Sequence, residues 1–121
     1  MKKVLVIEDD TILRKELLEI LTFEAYEVIG AANGRDGILL AQHHQPHLII
    51  SDVNMPDTDG FGVITGLRQN PQTASIPVVL LSAQNQPDII EHGLQLGAVA
   101  YLTKPYVLKE LLTTISKHIS D

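Results

Sequence analysis

The chain alternates short unbroken apolar runs with longer stretches in which apolar residues recur at helical spacing. Residues 4–7, VLVI, form a continuous β-branched and leucine run, which predicts a strand covered on both faces. Beyond Asp10, apolar residues fall at Ile12, Leu13, Leu17, Ile20 and Leu21, one face of a helix. A weaker strand is expected over residues 27–32. The stretch NGRDG then leads into a helix carrying Ile38, Leu39, Leu40 and Ala41. Gly34 and Gly37 lower its propensity, and Pro46 closes it. Residues 48–52, LIISD, are the third strand.

The alternation continues in the second half. Residues 61–68 predict a helix ended near Asn70-Pro71. The run SIPVVLLSA supplies a fourth strand, with Pro77 tolerable only near its start. A helix over residues 87–96 is stopped by Gly97, and residues 99–103 form a fifth strand. Val107, Leu108, Leu111, Leu112, Ile115 and Ile119 make a final helical stripe. Five strands alternating with five helices predict right-handed crossovers and a parallel sheet with helices on both faces. The expectation is a single α/β domain over residues 1–121.

Composition narrows the function classes. The 121 residues contain no cysteine, which excludes disulfides and thiolate zinc sites and is compatible with an intracellular setting. No apolar stretch approaches the roughly 20 residues of a membrane span. MKKVLVIEDD is not a signal peptide, because its apolar run is short and ends in acids. A net charge of −6 argues against a broad basic face for nucleic acid. A soluble, cytoplasmic protein is expected.

In an open parallel sheet, ligands bind at the carboxyl ends of the strands. Here the first strand runs into Glu8, Asp9 and Asp10, the third into Asp52, the fourth into Ser82 and the fifth into Thr103-Lys104-Pro105. Each has an ordinary reading alone: Asp10 as a helix cap, Asp57 and Asp59 as turn and cap residues, Ser82 as a strand-end serine. The histidines at 43, 44, 47, 92 and 118 show no zinc-like spacing and are expected on the solvated surface. Brought to one edge, however, the acids repel unless a cation sits among them. Few carboxylates, with room for water and phosphate, point to Mg²⁺ rather than a calcium cage. A carboxylate beside such a metal, with a lysine and a hydroxyl opposite, is equipped to accept a phosphoryl group. Asp52 is then the nucleophile of an acyl phosphate.

The segments VLVIEDD, LIISDVNMPDTDG, IPVVLLSA and AYLTKPY, in this order and at these intervals, resemble the receiver (response-regulator) domain of two-component phosphorelays, of the chemotaxis single-domain type. The resemblance covers essentially the whole chain. It implies a flavodoxin-like strand order 2-1-3-4-5 and phosphorylation on aspartate by a histidine kinase or phosphotransfer protein. Position by position, Asp52 matches the phosphoacceptor and Glu8 and Asp9 the acidic pair. Asp9 would be the direct Mg²⁺ ligand, Glu8 would act mainly through water, and Asn54 would bind through its backbone carbonyl. Ser82 matches the switch hydroxyl, Lys104 the phosphate-pairing lysine before a cis proline, and Tyr101 the aromatic that changes rotamer. Asn54 and Gln84 flank the site where family members tune phosphate lifetime. Glu-Asp replaces the commoner Asp-Asp, and Thr58 stands where many members have methionine.

On this reading a phosphoryl group on Asp52 draws Ser82 towards it, and Tyr101 fills the vacated space. The face made by the fourth helix, fifth strand and fifth helix then changes shape for a downstream protein. The domain is no enzyme beyond its own phosphorylation and slow autodephosphorylation. Rival readings are an aspartyl phosphohydrolase, whose class needs a second acid where Asn54 stands, and an FMN carrier, whose phosphate Glu8, Asp9 and Asp10 would repel. A receiver-like interaction module that takes no phosphate is the third. The chain runs out soon after its last helix, which suits a stand-alone receiver or a piece of a longer protein.

Overall fold

β1 (Lys3–Ile7) opens a computed structural model in which residues 1–119 are described; Ser120 and Asp121 lie outside the described residues. α1 (Thr11–Phe23), β2 (Glu27–Ala31), α2 (Gly34–His44), β3 (Leu48–Asp52) and α3 (Gly60–Arg68) follow. β4 (Val78–Ser82), α4 (Pro87–Leu96), β5 (Ala100–Thr103) and α5 (Leu108–His118) complete the chain. All four strand pairings are parallel, as the alternation predicts, and the order is 2-1-3-4-5, as the resemblance implies.

Successive side chains on a strand point to opposite faces, so each central strand feeds two cores. Leu5, Ile7, Ile49 and Leu80 pack on one side with Val63, Ile64 and Leu67 of α3. Val4, Val6, Ile50 and Leu81 pack on the other with Leu17 and Leu21 of α1 and Leu111 and Ile115 of α5. Burial on both faces explains why these strands read as unbroken apolar runs. Each fully buried Leu or Ile contributes about 1.5–3 kcal/mol of transfer free energy.

The caps agree with the chemistry of the sequence. Asp10 accepts from the N–H groups of Ile12 and Leu13, Asn33 from Asp36 and Asp59 from Gly62, at the starts of α1, α2 and α3. Gly97 ends α4 with φ 116°, the left-handed conformation that favours glycine. In α2, Gly37 lies where a Cβ would collide with the Ile7 side chain, so the poor helix former is there for close packing on β1.

The helical faces hold, but not all of their apolar positions are covered, and one histidine departs from the expected solvated surface. Ile12 and Leu13 are 77% and 38% exposed, and Val107 and Leu108 are 63% and 45% exposed. Ile12 and Leu13 lie in the first turn of α1, and Val107 caps α5, whose first residue is Leu108. Leu13 and Leu108 instead flank a cleft of about 610 Å³ between α1 and the β5–α5 loop. His47 is half-buried rather than solvated: its Nδ1 accepts the Lys3 N–H at 2.9 Å, while its own backbone N–H donates to Lys3 O at 2.8 Å.

Candidate functional site

Asp52 closes β3 and is only 9% exposed. Its Oδ1 accepts the Val53 N–H at 2.8 Å, and its Oδ2 lies 3.4 Å from Lys104 Nζ. These partners offset the cost of ending an apolar strand in a buried charge. The chain then turns through Pro56 and Asp57, the latter at φ 69°, into the cap of α3. Gly60 is pressed against the end of β3: its N–H donates to Val53 O at 2.9 Å. A Cβ there would stand 2.5 Å from Asp52 O and 2.9 Å from Val53 Cα. Glycine ends the segment LIISDVNMPDTDG because two backbones meet at that point.

Glu8, at the end of β1, is 2% exposed. Its Oε1 accepts from Lys104 Nζ at 2.8 Å, its Oε2 from the Asp10 N–H at 3.2 Å, and its carbonyl from Arg14 Nη1 at 2.7 Å. Asp9 stands exposed on the rim. One oxygen from each of Glu8, Asp9 and Asp52 lies within 4.8 Å of the others. Partial burial, then the Glu8 hydrogen bond and charge, hold the Asp9 carboxyl above its ordinary pKa against the opposing pull of Lys104. Burial alone would lower the Lys104 ammonium. The Glu8 hydrogen bond and the charges of Asp52 and Glu8 outweigh that and raise it. Three carboxylates around one lysine leave an excess of negative charge, and this all-oxygen set fits a hard divalent cation.

The remaining candidates line the same edge. Ser82 is fully buried at the end of β4; its Oγ accepts the Gln84 N–H at 3.1 Å and its carbonyl accepts the Lys104 N–H at 2.7 Å. The Lys104-Pro105 peptide is cis, as the resemblance implies. Tyr101 is half-buried on β5 and donates its hydroxyl to Gln84 O at 2.8 Å. Asn54 is exposed on the loop after β3, with its side-chain oxygen 2.7 Å from Gln84 Nε2. Thr58, where the family often has methionine, packs its carbonyl and side chain against Gly34. The Asn54–Gln84 bridge was not legible in sequence, since it pairs side chains of two separate loops with no spacing signal; nor was the contact by which Arg14 of α1 reaches back to the Glu8 carbonyl.

The sequence pattern of the response regulator receiver domain matches residues 4–116. The chain belongs to the response regulator receiver domain family. This receiver domain is 36% identical to the transcriptional regulatory protein PdtaR of Mycobacterium tuberculosis over 120 residues, covering 98% of the chain and 57% of that protein. It is 38% identical to the probable transcriptional regulator ycf27 of Cyanophora paradoxa, covering 91% of the chain and 45% of the relative. The receiver domain thus spans about half the length of these curated relatives. Among solved structures it is similar to chemotaxis protein CheY4 of Vibrio cholerae, with TM-score 0.91, 34% identity and 98% of each chain covered. A putative response regulator from Chloroflexus aurantiacus superposes with TM-score 0.92 at 29% identity, over 99% of this chain and 98% of that one. Neither the phosphohydrolase nor the flavin-carrier reading is favoured by these matches. Receiver domains work with histidine kinases and downstream effectors and are not generally classed as enzymes. Among the described residues no helix is long and apolar enough to cross a membrane.

Proposed function

We propose that the domain accepts a phosphoryl group on Asp52 from the phosphohistidine of a histidine kinase or phosphotransfer protein. The observation that carries this reading is the gathering of Glu8, Asp9 and Asp52 around Lys104 at one edge of the sheet. An Asp52 oxygen attacks phosphorus, the P–N bond breaks, and its electron pair returns to the donor imidazole. Lys104, 3.4 Å from Asp52 Oδ2, balances charge on the transferring oxygens. Asp9 and Asp52, with Glu8 through water and the Asn54 carbonyl, would hold Mg²⁺, which offsets phosphoryl charge when bound.

The phosphorylated domain then signals by shape. Ser82 turns towards the new oxygens, Tyr101 moves into the space released, and the α4–β5–α5 face changes for a downstream protein. Phosphorylation and slow loss of phosphate are the only chemistry in this reading. The location is the cytoplasm, where donors are charged from ATP.

The test is intact-mass measurement after incubation with acetyl phosphate. One phosphoryl adduct is expected with Mg²⁺, none with chelator, and none in Asp52→Asn. An adduct of equal yield in Asp52→Asn overturns the assignment.

A further inference from the structure

Arg14 reaches out of α1 to the end of β1. Its Nη1 donates to the Glu8 carbonyl at 2.7 Å, and its backbone N–H donates to Asp10 O at 2.9 Å. The Glu8 N–H donates the other way, to Ala31 O at the end of β2, at 3.0 Å. Glu8 Oε2 accepts the Asp10 N–H at 3.2 Å. The turn that carries Glu8 and Asp9 is thus closed by bonds on all sides, and a side chain from within α1 supplies one of them. Its route is open because β2 has glycine where it crosses. A Cβ on Gly30 would stand 2.9 Å from Leu18 Cδ1 and 3.5 Å from Arg14 Cδ, so the arginine stem passes close over Gly30. Gly30 pairs with Val6, one rung before the pair of Ile7 and Ala31.

We propose that Arg14 is a positioning residue that fixes the Glu8–Asp9 peptide and, through it, the direction in which the Asp9 carboxylate meets a divalent cation. The inference rests on the reading of Asp9, Asp52 and Glu8 as the set that holds Mg²⁺.

A peptide unit is planar, so a donor that fixes the Glu8 carbonyl also fixes the bond from which Asp9 departs. Glu8 is 2% exposed. Without the guanidinium its carbonyl must stay buried with one partner fewer or turn towards water, and an unpaired buried acceptor is costly. That turn carries Asp9 with it and draws the Asp10 N–H away from Glu8 Oε2. Charge works in the opposite direction. A guanidinium on the turn that bears the acids repels an incoming cation, so its removal would by charge alone tighten metal binding. Positioning and charge therefore predict opposite signs for the same substitution.

The experiment compares wild type, Arg14→Met and Arg14→Lys. Both variants keep an unbranched stem over Gly30, and only the lysine keeps a charged donor. Binding of Mn²⁺ alone is read from the electron paramagnetic resonance of the free ion. The Asp10 amide proton, which reports its bond to Glu8, is read by nuclear magnetic resonance in metal-free protein. Arg14→Met is expected to weaken Mn²⁺ about five- to tenfold and to shift the Asp10 amide upfield. Arg14→Lys should bind within about twofold of wild type, with the amide near its wild-type position. Mn²⁺ binding by Arg14→Met as tight as wild type or tighter, or an Asp10 amide that does not move, overturns the proposal. An equal loss in Arg14→Lys assigns the effect to packing and overturns it too. Wild type that binds no Mn²⁺ rejects the metal-holding reading instead. The Asp10 amide then decides whether Arg14 holds the turn.

Discussion

Lys104 donates to Glu8 at 2.8 Å and lies 3.4 Å from Asp52, so the lysine belongs more to the acid that follows β1 than to the acid that ends β3. The Glu-Asp pair explains how: the longer glutamate arm reaches the ammonium while remaining 2% exposed. On the proposed function, a phosphoryl group on Asp52 competes with Glu8 for this cation.

Lys104→Ala should therefore destabilise the domain, by leaving the buried Glu8 carboxylate without its counter-charge. A loss of about 1–3 kcal/mol is expected in urea unfolding. Glu8→Gln in the same background should recover part of it. Equal stability of Lys104→Ala and wild type would show that the pair contributes nothing at rest.

Asp9 predicts a pH dependence in metal-free protein. Its carboxyl is held above the ordinary value of 3.8, so between 3.8 and its raised pKa the folded state binds more proton than the unfolded one. Stability from this group falls as pH rises through that window and stays reduced above it. Asp9→Asn should raise the melting temperature at neutral pH without divalent ions, and should gain less than wild type when Mg²⁺ is added. An unchanged or lower melting temperature in metal-free Asp9→Asn would contradict the repulsion.

Gly60→Ala tests the backbone contact beneath Asp52. Its Cβ would stand 2.5 Å from Asp52 O, and backbone cannot give way as a side chain can. A cost of about 1–3 kcal/mol is expected, with reduced acetyl phosphate labelling. Full labelling at native stability would show that the β3–α3 turn moves freely.

His47→Ala should leave the Lys3 N–H without its Nδ1 acceptor at the start of β1. About 1–2 kcal/mol should be lost in chemical denaturation, with no effect on labelling. A loss of labelling would mean that the far end of the sheet communicates with Asp52.

The layers were legible because strands buried on both faces leave continuous apolar runs, as in VLVI and VVLLS, and because Asp10, Asp59 and Gly97 mark helix ends by their own chemistry. The acids were legible because a parallel sheet sends every strand terminus to one edge. The exposure of Ile12, Leu13, Val107 and Leu108 was not legible, because helical period locates a face and says nothing of how far along it the burial extends. His47 and the Gln84 bridge escaped because a tertiary hydrogen bond between distant segments leaves no periodic trace, and the Arg14 contact because a side chain reaching back to a nearby carbonyl carries no marker in the sequence.

The most direct measurement is the position of the modification itself. The acetyl phosphate-treated protein is reduced with borohydride, digested and sequenced by tandem mass spectrometry. The account predicts that residue 52 alone carries the reduced-acyl signature, and that chelating Mg²⁺ abolishes it. The signature at Asp9, Asp57 or Asp59 with residue 52 unmodified would contradict it.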